Sequence, residues 1–386
     1  MGNEVVGQPI YTGQDFYTPA FEVKLRGQQL AREVIHDVIS VTYRDSLDKL
    51  DQVEITINNW DAQRRQFKYS DPGQTMPDGT ALPSFDPGAQ LELYIGYRSA
   101  SQLTLMMTGE IVSLTPNFPA GGAPTLQVRA LSLLYKLQKK KSVKPYEKMK
   151  DSAIARALAQ ELGVEVETVS SAEADEVRHE YVLVNNQFPI IFLMQRARAL
   201  GYDIYVKADG KLFFGPSQQA RPTYKLEWGK SLIQFSPTLK TKGQVRKITV
   251  RGWDPTKTGA DKAVVGEATW DDLNVQALPK AEDLRTIDSA LAQSEEIVTD
   301  YVPRSKAEAN RLARELLAEA AKKMVTGHGS TVGLPGLRAG GAVGIDGLGS
   351  RFSGRYILTE TTHTVGSGGY RTEFTARMEI RRGGGG

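Results

Sequence analysis

Cysteine is absent from the 386 residues of this chain, so neither a disulfide framework nor a thiolate metal site can form. Histidine is scarce. His36, His179, His328 and His363 stand far apart, and His179-Glu180 runs into Tyr-Val-Leu instead of the second histidine of a zinc-protease helix. No metal and no cofactor is expected. There is no Gly-x-Ser-x-Gly elbow to anchor a hydrolase triad. Gly210-Lys211 and Gly229-Lys230 lack the glycines of a phosphate loop. Gly327-His-Gly329 follows a helical pattern and lacks the third glycine of a dinucleotide fingerprint. The adjacent acids Asp271-Asp272 and Glu295-Glu296 point apart if extended, which leaves no catalytic residue to name. A glycosidase pair assembled from distant segments stays open. Net charge is only +3, too mild for a nucleic-acid binder by charge alone. No apolar run approaches the roughly 20 residues that span a bilayer, and Met1–Gln8 has no signal-peptide pattern.

What the chain does carry is alternation with a period of two, the mark of half-buried strands. Phe21, Val23 and Leu25 alternate with charged residues, as do Val53, Ile55 and Ile57, then Leu91, Leu93 and Ile95. Residues 103–107 and 111–114 are further candidates, and Leu126, Val128 and Ala130 close the set. Short strands separated by turn residues predict a small antiparallel barrel or sandwich. A long polar insertion separates Trp60 from Phe85.

The character changes at Lys136, where lysines crowd up to Lys150 without interleaved aromatics; we read them as a solvated linker. A helix is predicted from Asp151, as N-cap, to Leu162, with Gly163 as its stop. Ile154, Leu158 and Leu162 share one face of it. A second helix runs from Pro189 to Leu200, ended by Gly201. Asp209-Gly210 predicts a hairpin turn. Val245–Trp253 is a strand, and residues 256–303 are read as mostly polar loop. Ser305-Lys-Ala-Glu308 is a capping box opening a helix over 305–324, with Leu312, Leu316, Ala320 and Met324 on its apolar side. The dense glycines from Gly327 to Gly354 predict bulges and tight corners. Gly354–His363 and Tyr370–Ile380 form a hairpin around Gly366-Ser-Gly-Gly369. Tyr370, Thr372, Phe374, Ala376 and Met378 face the core; Arg371, Glu373, Thr375 and Arg377 face water or a partner.

This C-terminal hairpin, with Leu200-Gly-Tyr-Asp-Ile-Tyr-Val, Asp209-Gly-Lys-Leu-Phe-Phe-Gly-Pro216 and Arg251-Gly-Trp-Asp-Pro255, resembles the phage late control protein D family. Those proteins are contractile-tail baseplate hubs, similar to the hub half of type VI secretion spike (valine-glycine repeat) proteins. The resemblance covers most of residues 20–382. It implies a mainly β chain with an α/β insertion: two small SH3-like or tudor-like β-barrels bracketing a small α/β domain. The division it suggests is an N-terminal arm (1–18), a first barrel (19–140), the α/β insertion (141–235) and a second barrel (236–386) with helix 305–324 and a glycine-rich tail. No repeat is visible in the sequence; the duplication comes from the resemblance.

The function it implies is structural. The chain would be a hub joining a sixfold tail tube to a threefold spike as a homotrimer, with spike, tube-initiator and wedge proteins as partners. It would be assembled in the bacterial cytoplasm into a phage tail or injection particle. In fused members an oligonucleotide-binding-type barrel and a β-helical spike follow the hub; here Gly383–Gly386 would end the chain or begin a linker. The alternatives are a tail-associated cell-wall hydrolase and a nucleic-acid-binding β-barrel protein. Structural or interface candidates are Trp253, Gly340, Gly354, His363, Phe374 and Arg377. His363 is expected to be a half-buried packing residue. Replacing His179, His328 and His363 with Gln is expected to leave assembly intact.

Overall fold

The computed structural model describes residues 7–382, except 11–15, 72, 76–78, 80, 100–101, 162, 208–209, 217–223, 254–257, 259–261, 274, 277–293, 302, 304 and 379–380. These residues are mainly β, with a few helices. The first half contains β1 (Pro19–Leu25), a short helix α1 (Arg32–Asp37), β2 (Val38–Ser46), β3 (Gln52–Asn58), β4 (Gln90–Tyr97), β5 (Thr104–Asn117) and β6 (Thr125–Ser132). The alternating apolar residues Val23, Val53, Ile55, Ile57, Leu91, Leu93, Ile95, Leu126 and Val128 meet in one core. Segments 103–107 and 111–114, expected as two strands, form the single strand β5.

Alternation alone does not reveal β2. Its pairing with β3 skips Ile39, an extra residue that bulges outward. The phase shifts there, so Val38, Val41 and Tyr43 face inward at uneven spacing, and the next inward residue is Asp45. The polar stretch between Trp60 and Phe85 contributes local structure of its own. Trp60–Asp61 pairs with Gln66–Phe67. Tyr69 and Phe85 are buried edge to face, with ring centroids 5.8 Å apart. Asp37 Oδ2 accepts hydrogen bonds from Tyr69 OH at 2.7 Å and from Lys68 Nζ at 2.8 Å.

The middle of the chain holds β7 (Ser142–Met149), α2 (Asp151–Gln160), β8 (His179–Gln187), α3 (Pro189–Leu200), β9 (Tyr202–Val206) and β10 (Leu212–Pro216) around their own core. Helix α3 starts with Pro189 in its first turn and ends at Gly201 with φ 68°, as predicted. Leu162 and Asp209 lie outside the described residues. The lysine segment is not a solvated linker, because β7 runs through it and pairs antiparallel with β8. Its charges are partly matched: Lys136 reaches Glu110 at 3.0 Å, and Lys150 Nζ donates to the Glu173 carbonyl at 2.8 Å. Asp151 is not the N-cap of α2. Lys150 holds that position, while Ser152 N donates to the Glu176 carboxylate at 2.9 Å, which serves the helix start instead.

The second half contains β11 (Tyr224–Glu227), β12 (Leu232–Leu239), β13 (Lys247–Trp253), β14 (Ala263–Thr269), β15 (Glu295–Val298), α4 (Lys306–Ala321), β16 (Val325–Val332), β17 (Ala342–Asp346), β18 (Gly354–Gly366) and β19 (Gly369–Met378). β11 and β12 already pair with β17 and β16, ahead of residue 236. Residues 256–303, expected as loop, include β14 and β15, which flank β13 in a small sheet. Helix α4 packs on that sheet over Gly266 and Ala268. Small residues are needed at that contact, and they hide the strand's apolar face from a hydropathy reading. Ser305 caps α4, accepting from Glu308 N at 3.1 Å. The glycines of β16 are not bulges. A Cβ at Gly329 would press on the rings of Phe235 and Phe374, so glycine there lets two aromatics lie on the strand.

One sheet spans both halves. In space β2, β3, β6, β5 and β4 lie side by side in that order, and β12, β16, β19, β18 and β17 repeat it. Taken in chain order, the two sets correspond strand for strand. Their irregularities correspond too. The pairing of β12 with β16 skips Ile233 as that of β2 with β3 skips Ile39. The pairing of β18 with β19 skips Thr359 as that of β5 with β6 skips Val112. The halves join where Ser40–Ser46 of β2 pairs antiparallel with Glu360–Gly366 of β18.

Candidate functional site

The β2·β18 junction has a buried polar side and an exposed polar side. On the buried side, successive inward positions of β2 and β18 place Tyr43, Asp45, Thr361 and His363 together. Arg338, on the loop before β17, enters from the second half. Its Nε donates to Asp45 Oδ2 at 2.6 Å, its Nη2 donates to Tyr43 OH, and its guanidinium lies 4.8 Å from the Tyr43 ring centroid. Ala339 N adds a bond to Asp45 Oδ2 at 3.1 Å, and Thr361 Oγ1 donates to Oδ1. Tyr43 OH donates to Asp51 at 3.3 Å. Burial raises the Asp51 carboxyl well above the usual range, and the Asp45 charge adds to that shift. The ion pair at the centre of the seam is therefore Asp45 with Arg338.

His363 is fully buried and corrects the half-buried expectation. Its Nε2 lies 2.9 Å from the Leu337 carbonyl, so this nitrogen carries the proton. Nδ1 accepts from Tyr370 OH at 2.8 Å. Burial lowers its pKa to about 4, which keeps the ring neutral. The unfolded ring titrates near 6.5, so between these values the unfolded chain binds the extra proton and acid removes stability. Acidification from pH 7 to 5 is expected to cost on the order of 1–2 kcal/mol through this group. Denaturant midpoints measured at both pH values check this, and His363→Gln is expected to flatten the difference. The triple Gln replacement is accordingly expected to lower stability: His363 lies in the seam, and His179 Nε2 lies 2.9 Å from a buried Asp151 that also takes Arg196 Nε at 2.6 Å. Burial would raise the Asp151 carboxyl, but hydrogen bonds from His179 and Arg196 hold it below its usual range.

On the exposed side, polar residues run in rows across the junction. Glu373 stands beside Thr362, then Arg44, then Gln52. The next row runs from Arg371 through Thr364, Thr42 and Glu54 to Arg129. Charges of both signs are interspersed with threonines, and Thr362, Arg371 and Glu373 line a groove that His328 and Glu360 also border. Such a face suits a polar partner surface.

The sequence candidates divide. His363 belongs to the seam. Phe374 is buried beneath the polar face, its ring 6.1 Å from that of Phe235. Arg377 does not join the wet row; its side chain is nearly buried and reaches Asp203 of β9 at 3.5 Å, tying β19 to the middle segment. Gly340 has φ 83°, and a Cβ there would stand 2.8 Å from the Tyr205 ring. Nothing at Gly354 demands glycine, since a Cβ would meet only Met378 at 3.9 Å. Trp253 lies apart from the others, 59% exposed at the end of β13. Tyr43, Asp45 and Arg338 were missed. The one available signal was a lone Asp at an inward strand position, and the bulge at Ile39 concealed that position. Among the described residues no group of three or more His, Asp or Glu is placed to hold a metal, and no helix is long and apolar enough to cross a membrane.

The family described as "Alg8 N-terminal domain" matches residues 16–367. No curated protein matches the chain. Among solved structures, a 43 kDa tail protein of prophage MuSo2 from Shewanella oneidensis is similar with a TM-score of 0.69 at 11% identity, over 94% of this chain and 98% of that one. A tail protein from Neisseria meningitidis MC58 gives 0.65 at 14% identity, covering 94% and 97%. An E. coli component of the type VI secretion system gives 0.55 at 13% identity, covering 94% and 78%. At these identities the likeness is one of fold: the chain has the fold of phage tail proteins and of a type VI secretion component.

Proposed function

The chain belongs to the Alg8 N-terminal domain family, and we propose that it is the central baseplate hub of a contractile tail or injection system. The observation that carries this reading is the repeated five-strand unit inside one sheet, in a fold shared over nearly the whole chain with tail proteins. Each repeat is the core of a small SH3-like or tudor-like barrel, the first within residues 19–140 and the second running from Leu232 to Met378, with the α/β segment inserted between them. The late control protein D resemblance of the C-terminal hairpin supports the same role. Three copies place six such units around one axis, so a sixfold tube can sit on a threefold spike. The chain performs no chemistry. It works by matching symmetries, and wedge and tube-initiator proteins dock on its rim. Assembly takes place in the bacterial cytoplasm, before the particle is complete.

The polar rows over the β2·β18 junction supply a face of mixed charge for those partners. Light scattering is the test, on the purified chain alone and co-expressed with its spike protein. A three-to-three complex is expected with the spike. A monomer in both conditions, or a closed dimer in either, overturns the hub reading.

A further inference from the structure

The internal repeat has an unused half. Inside the chain, the first strand of repeat one, β2, pairs with the C-terminal part of the fourth strand of repeat two, β18. The complementary pair of edges belongs to β12, which corresponds to β2, and to the C-terminal part of β5, which corresponds to β18. Both are open among the described residues. β12 pairs only with β16. β5 pairs with β4 up to Glu110, and beyond residue 112 it pairs only with β6. Matching the shared bulges, Ile233 to Ile39 and Val112 to Thr359, sets every further residue in correspondence. Leu114 and Pro116 stand where Thr361 and His363 stand in the internal junction. Leu239 and Pro237 stand where Asp45 and Tyr43 stand.

We infer that β12 of one copy seats antiparallel against residues 113–117 of β5 in the next, repeating the internal β2·β18 junction between molecules. The inference rests on the homotrimeric hub reading and specifies its contact. At the internal junction the inward positions are sealed, with Thr361 and His363 fully buried. At the open edges Leu114, Pro237 and Leu239 are half-buried and Pro116 is exposed; all four are apolar, so burying them against each other leaves no charge unpaired. One residue further on, Phe118 is 58% exposed where its counterpart Val365 is 5% exposed. A contact between two different edges is heterologous, and repeated about a threefold axis it closes a ring.

The prolines explain why such edges do not join indiscriminately. Leu47 N donates to the Thr359 carbonyl at 3.0 Å, which fixes Asp45/Thr361 and Tyr43/His363 as the reciprocally bonded pairs. By correspondence Pro116 faces Pro237 in such a pair, and neither has an N–H to give. Leu114 and Leu239 then carry the remaining reciprocal bonds. The junction is weak between free copies and closes when a partner holds them together.

Thr115 and Thr238 correspond to Thr362 and Arg44, a non-bonded pair whose Cα atoms are about 4.5 Å apart, within reach of a disulfide. Because the chain has no cysteine, Thr115→Cys with Thr238→Cys can be oxidised without background thiols. Mild oxidation of the full-length double variant is expected to give covalent products between copies that end at three chains on a denaturing gel. Either single variant should give dimers at most. A double variant that forms the trimer by light scattering yet cross-links no more than the singles overturns this junction and leaves the hub reading standing. A chain that is monomeric with and without its spike and does not cross-link overturns both.

Discussion

Arg338→Ala is expected to cost about 3–5 kcal/mol, because it leaves the buried Asp45 carboxyl without its partner guanidinium. Asp45 is 4% exposed, and Arg338 supplies both its closest charged contact and a bond to Tyr43. The loss falls at the strand pair that joins the two halves, so chemical denaturation should broaden or split into two transitions as the halves uncouple. Removing the pair together should be milder. Asp45→Leu with Arg338→Met replaces an ion pair by apolar side chains of similar volume, and the second repeat already carries Leu239 at the position of Asp45. The double variant is expected to recover most of the midpoint lost by the single one. A single variant that melts like the parent chain would remove the seam from the account of how the halves are held.

Phe374→Asp is expected to unfold the second half altogether. Phe374 is 3% exposed, lies over Gly329 and stacks on Phe235, which in turn meets the buried Tyr356 edge-on at 5.3 Å. The substitution loses a packed ring, for which truncation alone costs about 3–5 kcal/mol, and adds a buried carboxylate without a partner. Phe374→Leu keeps the site apolar and is expected to shift the melting temperature by only several degrees. Circular dichroism melts of both variants test this. A Phe374→Asp chain melting within a degree or two of the parent would refute the orientation of β19.

Wherever side chains alternate without interruption, the strands could be read directly from the residues. β1, β3, β4, β6 and the β18–β19 hairpin follow from a period of two and a glycine turn, because burial on one face leaves one register available. The ends of α3 and the start of α4 followed from Pro189, Gly201 and Ser305, whose effects are local to one turn of backbone. The candidate site was legible in part: Phe374 and the polar row of β19 could be read, whereas the pairing of Asp45 with Arg338, some 290 positions along the chain, could not.

The rest depends on contacts that form only in the folded chain. β2 and β12 each carry a bulge that breaks the alternation, and β12 also carries Pro237, whose missing N–H lies on the side away from β16 and so costs the pairing within the chain nothing. The repeat is invisible in sequence because its matching positions are polar in one half and apolar in the other: Asp45 against Leu239, His363 against Pro116. What the halves share is the order and registry of backbone hydrogen bonds, which many side chains satisfy. Which side chain seals a given edge depends on what lies across it, and only the folded chain brings that neighbour into contact.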